Sequence, residues 1–201
     1  MSDQQNQLDY FIHETSIVES GVKIGSGTKI WHFSHILSNV TVGENCIFGQ
    51  NVSVGPNVII GNGCKVQNNV SIYQAVTLED GVFCGPSCVF TNVNTPRAFI
   101  ERKSEFLPTL VKKGATIGAN ATIVCGATIG KYALIGAGTL VKKDVPDYAL
   151  VVGVPSRQVG WVCRCGEKLE NFDTDKRAKC RRCSSQYQQN GDQLDVIEET
   201  Q

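Results

Sequence analysis

The sequence predicts an all-β solenoid of stacked parallel coils, and three observations carry that prediction. A large apolar residue recurs at every sixth position from Ile12 to Phe90, and again from Val111 to Val141. A small or β-branched residue stands four places after nearly every one of them. The pattern is interrupted once, by an insertion between Phe90 and Val111. Six is neither the 3.6 period of a helix nor the bare alternation of a long strand. A hexad is too short to fold alone, so its apolar residue must be buried by stacking on neighbouring hexads in register. Three hexads close one triangular coil, which places residue n beneath residue n+18.

Taken in order, residues 1–11 read as a polar N-terminal tail and 12–161 as the solenoid domain. Its large positions run Ile12, Val18, Ile24, Ile30, Ile36, Val42, Phe48, Val54, Ile60, Val66, Ile72, Leu78, Cys84 and Phe90, then Val111, Ile117, Ile123, Ile129, Ile135 and Val141. At the small position only Asn94 departs from the rule. Glycine follows the large residue in many hexads, as in Ile60-Gly61 and Ile135-Gly136, which suggests a turn needing positive φ. Coil stacking lines up Glu14, His32, Gln50, Asn68 and Pro86 on one corner, beside Phe33, Asn51, Asn69 and Ser87. A second corner stacks Ser38, Pro56, Gln74 and Asn92, flanked by Tyr73 and Thr91. The asparagine ladder suits either sugar or nucleotide binding, or plain satisfaction of turn backbones.

The insertion, 96–110, is basic in its middle (Arg97, Arg102, Lys103) and carries Phe99, Ile100, Phe106 and Leu107. A loop of that length in a repeat protein is usually functional, and the repeat rule fails at Asn94 just before it. Nineteen basic residues balance nineteen acidic ones, which argues against a nucleic-acid partner. No apolar run reaches the ~18 residues of a spanning helix and no export signal is visible, so a cytoplasmic protein without membrane insertion is expected.

Several stretches resemble one known family. They are Ile30-Trp-His-Phe-Ser-His35, Gly49-Gln-Asn51, Gln67-Asn-Asn-Val-Ser71, Phe83-Cys-Gly-Pro-Ser87, Val89-Phe-Thr-Asn92, Pro96-Arg97, Ile100-Glu-Arg-Lys103 and Val151-Val-Gly-Val-Pro155. The hexad pattern is similar to that of the hexapeptide-repeat acyltransferases, whose prism is a left-handed parallel β-helix. These stretches are most similar to N-acetyltransferases of UDP-2-acetamido-3-amino-2,3-dideoxyglucuronate, which serve surface-polysaccharide (O-antigen) biosynthesis. The resemblance implies a homotrimer with sites between prisms and acetyl transfer from acetyl-CoA to a 3-amino group. Substrate contacts are expected from the ladder residues His32, Gln50, Asn68 and Asn69, from Tyr73 on the second corner, and from the basic loop residues Arg97, Arg102 and Lys103. Acetyl-CoA is expected near Gly118, Gly136 and Ala137, with Lys142 and Lys143 at its phosphates.

No histidine follows His35, so a strong base for a hydroxyl acceptor is missing. An amine needs positioning more than a base. Asn92 is therefore the expected catalytic residue, with Glu79 and Asp80 as reserve proton acceptors. The competing readings are an O-acetyltransferase of the same fold, a histidine-zinc enzyme, and a non-catalytic trimeric scaffold. Residues 162–185 contain Cys163-Arg-Cys165 and Cys180-Arg-Arg-Cys183, a spacing that resembles a zinc ribbon holding a structural Zn²⁺. Residues 186–201 read as a polar, mobile tail.

Overall fold

The computed structural model describes residues 9–200, so most of the expected N-terminal tail lies outside the described residues. Each hexad contributes a two- or three-residue strand, and three parallel sheets form the faces of a triangular prism. This is the solenoid that the period of six requires, with the architecture of the left-handed parallel β-helix. The first face runs from Phe11–Ile12 through Ile47–Phe48 and Leu134–Ile135 to Ala149–Val152. The second runs from Ile17–Val18 to Leu140–Val141. The third runs from Lys23–Ile24 to Thr128–Ile129. We number the corners accordingly: the first joins faces one and two, the second joins two and three, and the third joins three and one.

Register follows the three-hexad coil: Ile12 pairs with Ile30, and Ile30 with Phe48. Past the insertion Cys84 pairs with Ile117 and Phe90 with Ile123, so the coils resume in phase and the inserted segment is extruded. The large hexad residues form one continuous buried column from Ile30 to Val141. The extruded segment is 94–108 and not 96–110: Thr109 pairs with Val76 and takes the small inward position, while Asn94 is exposed in the loop.

The turn glycines have a different reason from the one the sequence suggested. Gly61, directly after Ile60, does not carry positive φ; a Cβ there would lie 2.7 Å from the Asp80 amide nitrogen of the next coil. The left-handed residue comes two places later, at Gly63 (φ +64) and at Asn39, Asn45, Asn51, Asn57, Asn69 and Asn120. Close stacking selects the first glycine and backbone handedness the second site.

Residues 186–200 are not a mobile tail. Gln186–Asn190 and Gln193–Glu198 form a hairpin paired to Arg177–Lys179, so the terminal module extends beyond residue 185. Its inward residues Tyr187 and Leu194 are buried, which supplies the apolar face that a stable hairpin needs. A two-residue turn, Gly191-Asp192, joins the strands, with Gly191 at φ +58; glycine at the first turn position is a sequence signal for such a hairpin. Among the described residues no helix is long and apolar enough to cross a membrane.

Candidate active site

The inserted loop leaves the prism at the second corner, and its two ends are tied down. The Leu107 amide donates to the Asn92 carbonyl at 2.9 Å, and the Thr109 amide to the Ala75 carbonyl at 3.0 Å. The Cys125 thiol donates to Asn94 Oδ1 at 3.4 Å, while the Cys125 amide donates to Thr91 Oγ1 at 2.9 Å. Cys125 occupies the turn one coil beyond Asn92, so this pair staples the loop root to the coil above. Asn94 thus breaks the small-residue rule by trading a core position for a hydrogen bond.

Beneath that root lies a cleft of about 220 Å³, lined by Ser53, Ser71, Tyr73, Gln74, Asn92 and the loop's Phe106 among others. Tyr73 and Asn92, two of the expected site residues, therefore share one cavity. Complete small-molecule sites usually enclose ~300–1000 Å³. The cleft is smaller than that range and open to solvent. Its lining contains no histidine and no carboxylate.

Two coils further along the same corner, Lys142 and Lys143 line a second cavity of about 530 Å³ with Val151, Pro155, Ser156 and Gln158. Among the described residues neither lysine has an ion-pair partner. Strands two coils apart are separated by ~10 Å, so cationic side chains stand within reach of a long ligand passing Asn92.

The remaining expected residues are distributed less simply. His32, Gln50, Asn68, Asn69, Gly118, Gly136 and Ala137 lie on the first corner, apart from Asn92. Asn68 Oδ1 accepts the Gln50 amide at 2.9 Å, and Asn69 Oδ1 accepts Asn51 Nδ2 at 3.0 Å. These oxygens serve the turn ladder. The Gly118 and Gly136 amides are likewise engaged, donating to the carbonyls of Ile135 and Val151 at 2.8 Å. Among the described residues, however, the amides of Ala119 and Ala137 make no hydrogen bond. On the same corner the amides of Glu14, His32 and Asn68 are likewise without a partner among the described residues, and only the Gln50 amide is capped, by Asn68.

Glu79 and Asp80 do not join the cleft. They occupy the third corner, where Glu79 Oε2 accepts the Lys113 amide at 2.8 Å and Asp80 Oδ1 accepts the Asn62 amide at 2.7 Å. Both carboxylates cap turns there, apart from the cleft that holds Asn92. Of the basic loop residues, Arg102 is held bidentately by Glu105 at 2.8 and 2.9 Å, and Lys103 lies 3.5 Å from Glu101. Among the described residues only Arg97 of the three has no carboxylate partner.

The sequence reading also missed a pair. His35 Nε2 lies 2.9 Å from Glu19 Oε1 on the second face, and the Ser38 amide donates to Glu19 Oε2. The bond to His35, with the Ser38 amide, holds the Glu19 carboxyl below the usual carboxylate range. The available clue was that Glu19 precedes His35 by nearly one full coil. At the first corner, Phe11, His13, Trp31, His32 and Phe33 form an aromatic group, with His13 and His32 ring centroids 3.5 Å apart and Phe11 and Trp31 5.3 Å apart. Phe33 is 59% exposed at φ +58, a backbone conformation that elsewhere on the prism falls mainly to Asn and Gly. Tyr132 and Tyr148 share that conformation but are more buried, so Phe33 is the one of the three aromatics that faces water.

Comparison with known proteins fits this architecture. A model of the bacterial transferase hexapeptide (six repeats) matches residues 21–56, 39–74 and 108–143. The dTDP-3-amino-3,6-dideoxy-alpha-D-galactopyranose 3-N-acetyltransferase of Aneurinibacillus thermoaerophilus is 46% identical over 170 residues, covering 85% of this chain and 88% of its own. The bifunctional protein GlmU of Thermotoga maritima is 48% identical over only 60 residues, 28% of this chain and 13% of its own. Among solved structures, the acetyltransferase domain of PglB from Neisseria gonorrhoeae in complex with acetyl coenzyme A superposes with a TM-score of 0.51 at 18% identity, over 76% of this chain and 58% of that one. That likeness speaks for the fold. With a relative of such identity along most of its length, the chain belongs to the hexapeptide-repeat transferase family.

Proposed function

We propose that this protein is an N-acetyltransferase that moves the acetyl group of acetyl-CoA onto the 3-amino group of a nucleotide-linked sugar. The observation that carries the reading is a cleft that brings Asn92, Tyr73 and Gln74 together beneath the inserted loop. The relative from Aneurinibacillus thermoaerophilus, named for the same transfer on a dTDP-sugar, supports it.

In this reading Asn92 accepts a hydrogen bond from the neutral amine and aims its lone pair at the thioester carbonyl. The C–N bond forms, the C–S bond breaks, and the amine's proton leaves with the thiolate. The unpaired amides of Ala119 and Ala137 are suited to carbonyl oxygens of the cofactor or to the developing oxyanion. They lie on the first corner and Asn92 on the second. A homotrimer in which the first corner of each prism faces the second corner of its neighbour unites the two halves, with Lys142 and Lys143 at the cofactor phosphates.

The prism supplies a ruler for the substrate. Phe33 lies three coils below the coil of Asn92, which is ~14 Å along the axis and close to the span from a nucleobase to its sugar amine. The exposed rings of Trp31 and Phe33 are suited to the base and His32 to the pyrophosphate. The loop supports an uncharged 6-deoxy sugar over the uronate: Arg102 and Lys103 already face carboxylates, leaving Arg97 alone for an extra negative charge.

The test is thiol release from acetyl-CoA with a dTDP-linked 3-amino-3,6-dideoxyhexose and with the UDP-linked 3-amino uronate. Release with the first and a kcat loss of at least ~10-fold in Asn92→Ala are expected. Preference for the uronate overturns the choice of sugar. Absence of release with every 3-amino or 4-amino sugar nucleotide overturns the enzyme and favours the scaffold.

A further inference from the structure

An open solenoid must be capped, because its last coil otherwise exposes the apolar column to water. The two ends of this prism differ. At the N-terminal end Ile12, Val18 and Ile24 are only partly buried. At the other end Ile135 and Val141 are fully buried and Val151 is 4% exposed. Residues 157–200 make the difference. Arg157–Val162 turns back antiparallel on Ala149–Val152, and Trp161, Leu169, Ala178, Tyr187 and Leu194 continue the prism core without a break.

The centre of this module is a cluster of thiols. The Sγ atoms of Cys163, Cys165, Cys180 and Cys183 all lie within 4.8 Å of one another, with Cys163–Cys183 at 3.3 Å and Cys165–Cys180 at 3.6 Å. Four sulfurs ~2.3 Å from a tetrahedral zinc ion stand ~3.8 Å apart, so this cluster is close to the required shape. Both cysteine pairs sit on tight turns. The Gly166 amide (φ +88) donates to the Cys163 carbonyl at 2.8 Å, and the Ser184 amide to the Cys180 carbonyl at 3.0 Å.

One side chain joins the cluster to the prism. The buried Tyr187 hydroxyl donates to Cys163 Sγ at 3.1 Å and accepts the Arg164 amide at 3.1 Å. Its ring meets that of Tyr148 at 5.6 Å, and Tyr148 stacks on Tyr132 at 5.4 Å, both at turns of the last coils. We propose that a Zn²⁺ ion on these four cysteines makes the C-terminal module the end cap of the prism, and that Tyr187 couples the ion to the last coil. A hydrogen bond to a metal-bound thiolate orients the ligand and tunes its affinity. Without the ion the module loses its main source of folding energy, the last coil is uncovered, and the strand Arg157–Val162 that walls the Lys142–Lys143 cavity comes loose. The cap stands on its own observations; only its consequence for acetyl-CoA rests on the proposed transfer.

The experiment uses the full chain with thiols kept reduced. Elemental analysis should find one zinc per chain. Chelator-stripped protein should exchange amide hydrogens at least ~10-fold faster over 134–152, with residues 29–72 unchanged, and one equivalent of Zn²⁺ should restore protection. Tyr187→Phe keeps the ring and removes only the hydrogen bond, so it should fold normally and hold zinc about 10–100-fold more weakly. A chain that neither carries nor takes up zinc overturns the proposal. So does stripped protein whose 134–152 protection is unchanged, whatever the activity assay shows. If stripped protein does not stay soluble, Tyr187→Phe decides: unaltered zinc affinity removes Tyr187 as the coupling.

Discussion

The turn Gly61-Asn62-Gly63 offers a sharp test of how this prism is held together, because its two glycines exist for different reasons. Building a Cβ on Gly61 places it 2.5 Å from Asp80 Oδ1, 2.7 Å from the Asp80 nitrogen and 2.8 Å from the Glu79 carbonyl carbon. Two of those atoms are backbone of the next coil, which cannot swing aside without breaking its strand register. The third is the carboxylate oxygen that caps the Asn62 amide. Gly61→Ala should therefore cost about 3 kcal/mol, the upper part of the overpacking range. For a chain of this size that is a fall in Tm of about 6–12 °C. Gly63 has φ +64 and nothing within 4 Å of its added Cβ. Gly63→Ala should cost about 1 kcal/mol of backbone strain, or about 2–4 °C, and Gly63→Asn less, since asparagine fills the same place in six other turns. Thermal unfolding followed by circular dichroism measures all three, and the third corner lies away from the candidate site. The reverse order, with Gly63→Ala the more damaging and Gly61→Ala within about 2 °C of the parent, would refute the stacking argument.

Other perturbations address the site. Trp31→Ala should raise KM for the sugar nucleotide at least ~10-fold with little change for acetyl-CoA, as loss of one base-stacking ring does; an unchanged KM places the base elsewhere. Phe33→Asn should stabilise the fold slightly, by relieving the left-handed aromatic, while weakening nucleotide binding in a direct titration. Lys142→Ala with Lys143→Ala should weaken acetyl-CoA binding more than binding of a cofactor analogue lacking the nucleotide phosphates. Glu19→Gln should lower Tm at neutral pH, and the gap should close on acidification. A carboxyl held below its usual range stabilises the fold above the ordinary value of ~4.3 and loses that contribution as pH falls through its lower folded value. A gap that widens at low pH would contradict the sign.

The architecture was legible because a solenoid is local arithmetic: the spacing of Ile12, Ile30 and Phe48 dictates both which face each occupies and which strands pair. The length of the extruded segment was countable for the same reason. What spacing does not carry is why a residue type is present. Gly61 and Gly63 look alike in the sequence and differ only in what lies above them. Glu79 and Asp80 look like catalytic acids until the corner they occupy, and the amides of Lys113 and Asn62, are seen. The terminal hairpin was hidden because its buried residues, Tyr187 and Leu194, lie in a mostly polar run, with Gly191-Asp192 as the turn signal.

The corner amides tie these observations together. A turn of the prism whose central residue is not proline leaves an outward N–H there, and an unpaired donor must be met by a side chain, water or a ligand. On much of the surface a side chain one coil away meets it: Asn68 for Gln50, Asn62 for Glu44, Asp80 for Asn62, Asp147 for Lys131. On the first corner, among the described residues, the amides of Glu14, His32, Asn68, Ala119 and Ala137 have no protein partner and are left to water or to a ligand that brings its own acceptors. Backbone donors such as the Ala119 and Ala137 amides are what a search for reactive side chains overlooks, whereas Asn92 is the kind of group it finds.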